Sequence, residues 1–315
     1  MDSAESTEGT TLVSRESGPL VSVVIPTRNR SSMLSRAIAG VLQQTYANIE
    51  VIVVDDASDD NTPDVAGAFD DPRVRYYRHG ARRYASAARN TGIRHSRGEY
   101  VAFLDDDDEW LPAKLSRQVP LMMQAPPEVA LVYCWMDHFD AQGRLVYETH
   151  PTLRGNVFAQ VLDRPRLGGC PTLLVRRGVI EEVGGFDEEL PRGNDGDFVR
   201  RICLKYSVDV VPEVLVRVNV GHQHERITRF DEEGIRNAIK GHSAKLTKFR
   251  GVLPKYPKQT ASIYSSIGYH HSQLREWRNG TAFYWKAVKT APLYARVYLS
   301  ALRSLRDGLL NPRRP

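Results

Sequence analysis

Cysteine is scarce and unpatterned in this sequence: Cys134, Cys170 and Cys203 are odd in number, far apart and without a CxxC pair. That excludes a disulfide framework, offers no zinc-site spacing and fits a reducing, cytoplasmic compartment. Long apolar runs are missing too. The longest, residues 21–25 and 129–136, fall far short of the ~18–20 residues that cross a bilayer, so no spanning segment is expected. Residues 1–19 lack the basic and apolar regions of a secretory leader and read as a disordered tail. No DNA- or RNA-binding module is legible, and nucleic acid is not expected as a partner.

What is present is enough for a full core: 315 residues, 41% of them hydrophobic, suit one large α/β unit with an extension. The net charge of +5 conceals an asymmetry. Residues 229–315 hold 17 Lys and Arg against 5 Asp and Glu, a surplus of +12, and the preceding residues carry −7. A basic rear part suits an anionic membrane surface or a lipid-linked phosphate, and a solvated helical face is the plainer alternative.

Residues 21–25 and 51–54 are short β-branched runs that stop at Pro26 and Asp55, and both read as buried parallel strands. Between them Leu34, Ile38, Val41 and Leu42 recur at helical spacing behind Ser31, a candidate cap. This strand–helix–strand unit recurs through residues 74–77, a helix near 85–95 and a strand at 100–104. The fold class is therefore α/β, a mostly parallel sheet flanked by helices, whose ligands bind beyond the carboxyl ends of the strands. Three polar segments, 26–30, 55–60 and 105–108, lie at those ends. Further strands are expected at 130–135, 172–175 and 208–220, a Gly184-Gly185 turn between them, and a helix at 196–206. Beyond about Phe230 the sequence turns helical and basic, with Tyr264, Tyr269, Trp277, Phe283, Tyr284 and Trp285 recurring as in one or two helical hairpins.

Four consecutive aspartates, Asp105 to Asp108, follow the apolar residues YVAFL. Like charges so crowded repel unless a cation or solvent compensates, and a solvated acidic turn is the bland reading. Their place opposite a second acidic loop favours a hard cation, Mn2+ or Mg2+, with positions left open for phosphate oxygens. In that second loop, VVDDASDDNT, Asp55 and Asp56 could accept ribose hydroxyls or a base N–H, while Ser58, Asp59 and Asn61 suit a turn and a helix cap.

VSVVIPTRNR, VIVVDDASDDNT, AARNTGI, GEYVAFLDDDDEW and GGFDEEL with NDGDFVRRI, in that order over residues 20–228, resemble glycosyltransferase family 2 and its A-type (GT-A) fold. The resemblance implies an inverting transfer of sugar from a nucleotide diphosphate donor, a UDP-sugar foremost, to a carbohydrate or lipid-linked acceptor in cell-surface polysaccharide or glycoconjugate synthesis. It implies that Pro26, Thr27, Asn29 and Asp56, with Asp55 beside them, line the donor's nucleoside pocket. Asp105 and Asp107 would form the metal motif, Asp107 as the more direct ligand, with Asp106 and Arg89 near the donor. Asp195 would be the general base, although an acidic residue at a helix start is ordinarily a cap. His222 or His224 would offer a ring nitrogen to metal or diphosphate. Two departures stand out: Tyr84 occupies a position often held by glycine, and Asn194 replaces the first acid of a Glu-Asp pair.

The domain plan is thus a tail over 1–19, a catalytic domain over 20–228 and a basic helical region over 229–315, peripheral to the cytoplasmic face of a membrane. Rival readings are a glycoside hydrolase, a sugar nucleotidyltransferase and a non-catalytic nucleotide-sugar-binding protein. A hydrolase needs no such metal motif, and PTRNRSS is not the glycine-rich triphosphate loop of a nucleotidyltransferase.

Overall fold

The computed structural model of the chain describes residues 18–164, 166–220 and 231–310. Strand β1 (Val21–Thr27) leads through α1 (Ser31–Leu42), β2 (Ile49–Asp55), α2 (Thr62–Gly67), β3 (Val74–Arg78) and α3 (Tyr84–His95) to β4 (Tyr100–Phe103). The middle of the chain forms β5 (Glu109–Trp110), α4 (Lys114–Gln124), β6 (Val129–Phe139), β7 (Leu145–Thr149), α5 (Phe158–Val161) and β8 (Leu174–Arg176). Helices α6 (Arg177–Val183) and α7 (Asn194–Lys205) and strand β9 (Ser207–Asn219) complete the sheet. Helices α8 (Glu232–Lys248), α9 (Pro257–Gln273), α10 (Trp277–Thr290) and α11 (Ala295–Leu310) follow. The tail expected over 1–19 falls almost wholly outside the described residues, as does the expected boundary near 228.

The expected α/β architecture is present, one helix-flanked sheet of nine strands in the order β3-β2-β1-β4-β8-β6-β9-β5, with β7 also pairing β6. The first four strands are parallel. Strand β8 joins them to the second half by running antiparallel to both β4 and β6, and β6 and β9 are again parallel. Strand β1 continues through Pro26 instead of stopping there. Its last rung with β4 is Val24 opposite Phe103, so the missing Pro26 N–H leaves no ladder bond unmade on that side.

Because β1 and β2 are buried on both faces, their apolar residues alternate between two cores. Val21, Val23 and Ile25 meet Leu34, Ile38 and Val41 of α1 and Leu115, Val119 and Met122 of α4. Val24 joins Phe103, Phe186 and Phe198 on the other side. Phe249 and Leu253 beyond α8, and Ile263 and Ile267 of α9, belong to that same second core. The C-terminal helices are thus packed on the sheet. Helices α8, α10 and α11 each pack on α9, and the crossing with α10 is close enough that a Cβ at Gly268 would lie 3.1 Å from the Gly280 carbonyl oxygen. Among the described residues no helix is long and apolar enough to cross a membrane.

Candidate active site

The carboxyl ends of β1, β2 and β4 bring the three polar segments together. Asp55, ending β2, is fully buried, and its carboxylate accepts from Ser58 N at 2.8 Å, Ser58 Oγ at 2.6 Å and Tyr76 Oη at 2.6 Å. Both oxygens are therefore spent on holding the loop. Asp56 accepts from the backbone amides of Arg83 and Tyr84, each at 2.7 Å, and lies 2.8 Å from His79 Nδ1. The backbone at Tyr84 has φ +67°, the left-handed region that glycine adopts without cost. Asn29, also left-handed at φ 52°, accepts from Asp59 N at 2.7 Å through Oδ1, and its own amide donates to Ser58 Oγ at 3.0 Å. Arg28 donates to the carbonyls of Asp56 and Ala57. The β1 and β2 ends are thus stitched into one wall. Asn61 is the N-cap residue of α2 but makes no side-chain cap bond; Asp60, one position earlier, accepts from Thr62 N at 3.1 Å.

The third segment is crowded with charge. Thr27 Oγ1 donates to Asp106 at 2.7 Å, and one guanidinium nitrogen of Arg30 reaches Asp106 at 2.8 Å and Asp107 at 2.9 Å. Burial, helped by Asp107, pushes Asp106 up to about 6, against the counter-pull of Arg30. Burial, then repulsion from Asp105 and Asp107, holds Asp108 well above the ordinary carboxylate range. From the far end of β9, Asn219 Nδ2 donates to the Asp107 carbonyl at 2.7 Å.

Arg89 of α3 is 6% exposed and binds Asp105 at 2.5 Å, with Asp195 3.6 Å away. Its Nε is buried and has no protein partner. Asp195 lies in the first turn of α7, whose cap is Gly193 at φ 83°, so the capping role weighed for it falls to a glycine. Its side chain remains 40% exposed at the crevice although protein surrounds it closely. Burial and Asp105 raise its carboxyl, and Arg89 opposes the rise. Asn194 points elsewhere, donating to Ser86 Oγ and to the carbonyls of Asp187 and Leu190. The two adjacent residues therefore do different work.

Hydrogen bonds and ion pairs link Thr27, Asn29, Asp55, Asp56, Arg89, Asp105, Asp106, Asp107 and Asp195 into one cluster beyond the strand ends, with Pro26 in strand β1 behind them. His222 and His224 lie outside the described residues. Arg30, Asn219 and His79 were missed. A basic residue three positions past the end of β1, in a chain that also carries four consecutive aspartates at the end of β4, is the signal that could have raised Arg30. Among the described residues no three His, Cys, Asp or Glu side chains converge as a ready metal cage.

Residues 22–184 match the family described as Glycosyl transferase family 2. WcaA of Escherichia coli strain K12, a putative colanic acid biosynthesis glycosyl transferase, is 29% identical over 229 residues, spanning 68% of this chain and 77% of its own. In fold the chain is similar to S. aureus TarS 1-349 in complex with UDP-GlcNAc, with a TM-score of 0.61 at 15% identity over 90% of this chain and 91% of that one. It is similar also to the mannosyltransferase PcManGT from Pyrobaculum calidifontis in complex with GDP-Man and Mn2+. There the TM-score is 0.59 at 19% identity, over 91% of this chain and 80% of that one.

Proposed function

Because the chain belongs to glycosyl transferase family 2 and is thereby a glycosyltransferase, we propose that it transfers a sugar from a nucleoside diphosphate donor to an acceptor hydroxyl with inversion. The observation that carries this reading is Arg89, a single buried guanidinium placed between Asp105 of the acidic loop and Asp195 of α7. It joins a side suited to diphosphate and cation to a side suited to taking a proton. Its buried Nε has no protein partner, so the guanidinium is held through its two terminal nitrogens alone.

A divalent cation fits the acidic loop. Four consecutive carboxylates there are met by two guanidiniums, Arg30 on Asp106 and Asp107 and Arg89 on Asp105, which leaves room for further positive charge. Asp107, with Asp105, would hold Mn2+ or Mg2+, which when bound supplies the positive charge a departing diphosphate needs. Water and diphosphate oxygens would complete its shell. On the nucleoside side Asn29 and Asp56 shape the wall, and Asp55 positions it through Ser58 and Tyr76. Asp195 takes the acceptor's proton. Burial and Asp105 raise its basicity, and the neighbouring Arg89 opposes the rise. We assign the chemistry to residues 20–228, with 229–315 as a helical appendage. UDP-sugars are the donors to test first, and the relative in colanic acid biosynthesis supports a cell-surface glycan acceptor.

The test is nucleoside diphosphate release and sugar transfer across a panel of UDP- and GDP-sugars with Mn2+ or Mg2+. Activity is expected to vanish with EDTA and return with metal. Asp195→Asn should bind donor and metal as the parent does, yet transfer at least about 10²-fold more slowly. Asp107→Ala should weaken metal-dependent donor binding itself. Full transfer by thoroughly demetallated protein, or a parental rate in Asp195→Asn, would overturn the mechanism.

A further inference from the structure

Helix α11 turns leucines outward together with its arginines, Arg303 and Arg306 being 65% and 62% exposed. A surface helix ordinarily turns its apolar stripe to the core and its polar face to water. Here Leu299, Leu302 and Leu305, spaced at i, i+3 and i+6, are 64%, 61% and 57% exposed, with Tyr298 beside them at 44%. Just before the helix Leu293 is 97% exposed, and Trp285 of α10 is 60% exposed. The face turned to the protein carries Val297, Ser300 and Ser304. It is held by Tyr284 Oη, 2.6 Å from Ser304 Oγ and donating to the Ser300 carbonyl at 3.1 Å. Tyr269 Oη adds a bond to Asp307 at 3.1 Å. Single exposed leucines are ordinary on a protein surface, but a contiguous stripe on a helix anchored through hydroxyls marks a docking face.

The charge around the stripe identifies what it docks on. Residues 277–310 contain Arg278, Lys286, Lys289, Arg296, Arg303 and Arg306 against the single acid Asp307. Asp307 is already engaged by Arg303, Arg306 and Tyr269. Lys289 lies 5.2 Å from the Trp285 ring centroid, which pairs an exposed aromatic with a cation as at a water–lipid boundary. Apposing this face to the same face of a second copy would set cation against cation. We propose that α11, the residue 291–294 turn and the outer side of α10 form a surface that inserts shallowly into an anionic lipid bilayer. The leucines enter the acyl boundary and the arginines and lysines meet the lipid phosphates. Because α11 packs on α9, whose Ile263 and Ile267 belong to the sheet's core, docking would hold the whole molecule in one orientation. The inference stands on the surface alone and does not rest on the glycosyltransferase mechanism.

Co-sedimentation of the full chain with vesicles of equimolar phosphatidylglycerol and phosphatidylcholine, and with phosphatidylcholine alone, tests it. Binding to the anionic vesicles is expected, weakened by salt and weak or absent on pure phosphatidylcholine. Leu299→Ser, Leu302→Ser and Leu305→Ser combined should lower vesicle affinity at least about tenfold without lowering the thermal midpoint, since all three side chains are exposed. Lys286→Gln with Lys289→Gln should lower binding to anionic vesicles alone. No anionic binding, equal binding to both vesicles, or undiminished binding by the triple variant would overturn the proposal. So would vesicle-independent self-association in sedimentation velocity that the triple variant abolishes.

Discussion

At Tyr84 two demands meet in one residue: its amide must reach the Asp56 carboxylate, and its backbone must stay left-handed at φ +67°. A non-glycine residue there costs roughly 1–2 kcal/mol, while glycine would lose about 0.5–1 kcal/mol of chain entropy on folding. Tyr84→Gly should thus leave stability to urea within about 1 kcal/mol of the parent. Tyr84→Pro removes the N–H and forces φ to about −65°, so a loss on the order of 3 kcal/mol is expected. Equal urea midpoints for parent and proline variant would show the Asp56 bond to be idle. The acidic residues of the site were legible because carboxylates at the ends of β-branched runs form a pattern in one dimension. Their partners were not. Asp55 spends its oxygens on Ser58 and on Tyr76 of the neighbouring strand, and Arg30 crosses to Asp106 and Asp107, 76 and 77 positions away. Spacing along a chain does not say which way a carboxylate turns or which strand lies beside it.

Among the elements, α3 shows how a small residue sets a spacing. A Cβ at Gly92 would come within 2.3 Å of Val24 Cγ1, so only glycine lets this helix lie against β1. Gly92→Ala should push α3 outward, destabilise the fold by about 1–3 kcal/mol and draw Arg89 away from Asp105. Denaturant midpoints and donor affinity check both effects, and unchanged values would mean that the helix tolerates the shift. The parallel strands and helices α1, α3 and α7 were readable, within a few residues, from apolar periodicity. Helices α5 and α6 were not anticipated, nor were β5, β7 and α4. Strand β5 has two residues, and β7 leaves Leu145, Val146 and Tyr147 all exposed, so neither shows the alternation that announces a half-buried strand. Helix α4 carries Pro120, which locally argues against a helix, yet Leu115, Val119 and Met122 bury against the sheet and prevail.

For the molecule as a whole, the C-terminal helices contribute to the core that lies under α5 and α7. A chain ended near Phe230 would uncover Phe158, which meets Phe249 and Tyr256 at ring-centroid distances of 5.7 and 5.4 Å. Such a chain is expected to lose its cooperative thermal transition, whereas one ended after Ala291, lacking only α11 and its turn, should keep it. Circular dichroism melts of the two decide, and an intact transition in the shorter chain would refute the shared core. The same wiring has a consequence for how the protein is made. The strands β1 to β4 can pair as soon as they leave the ribosome, but β5 must wait for β9, and Asp107 for Asn219, 112 positions later. At about 5–20 residues per second, that wait lasts roughly 5–20 s. The aspartate loop is therefore the last part of the crevice to be latched, and a chain released short of Asn219 would carry every acidic residue of the motif without the clasp that holds them.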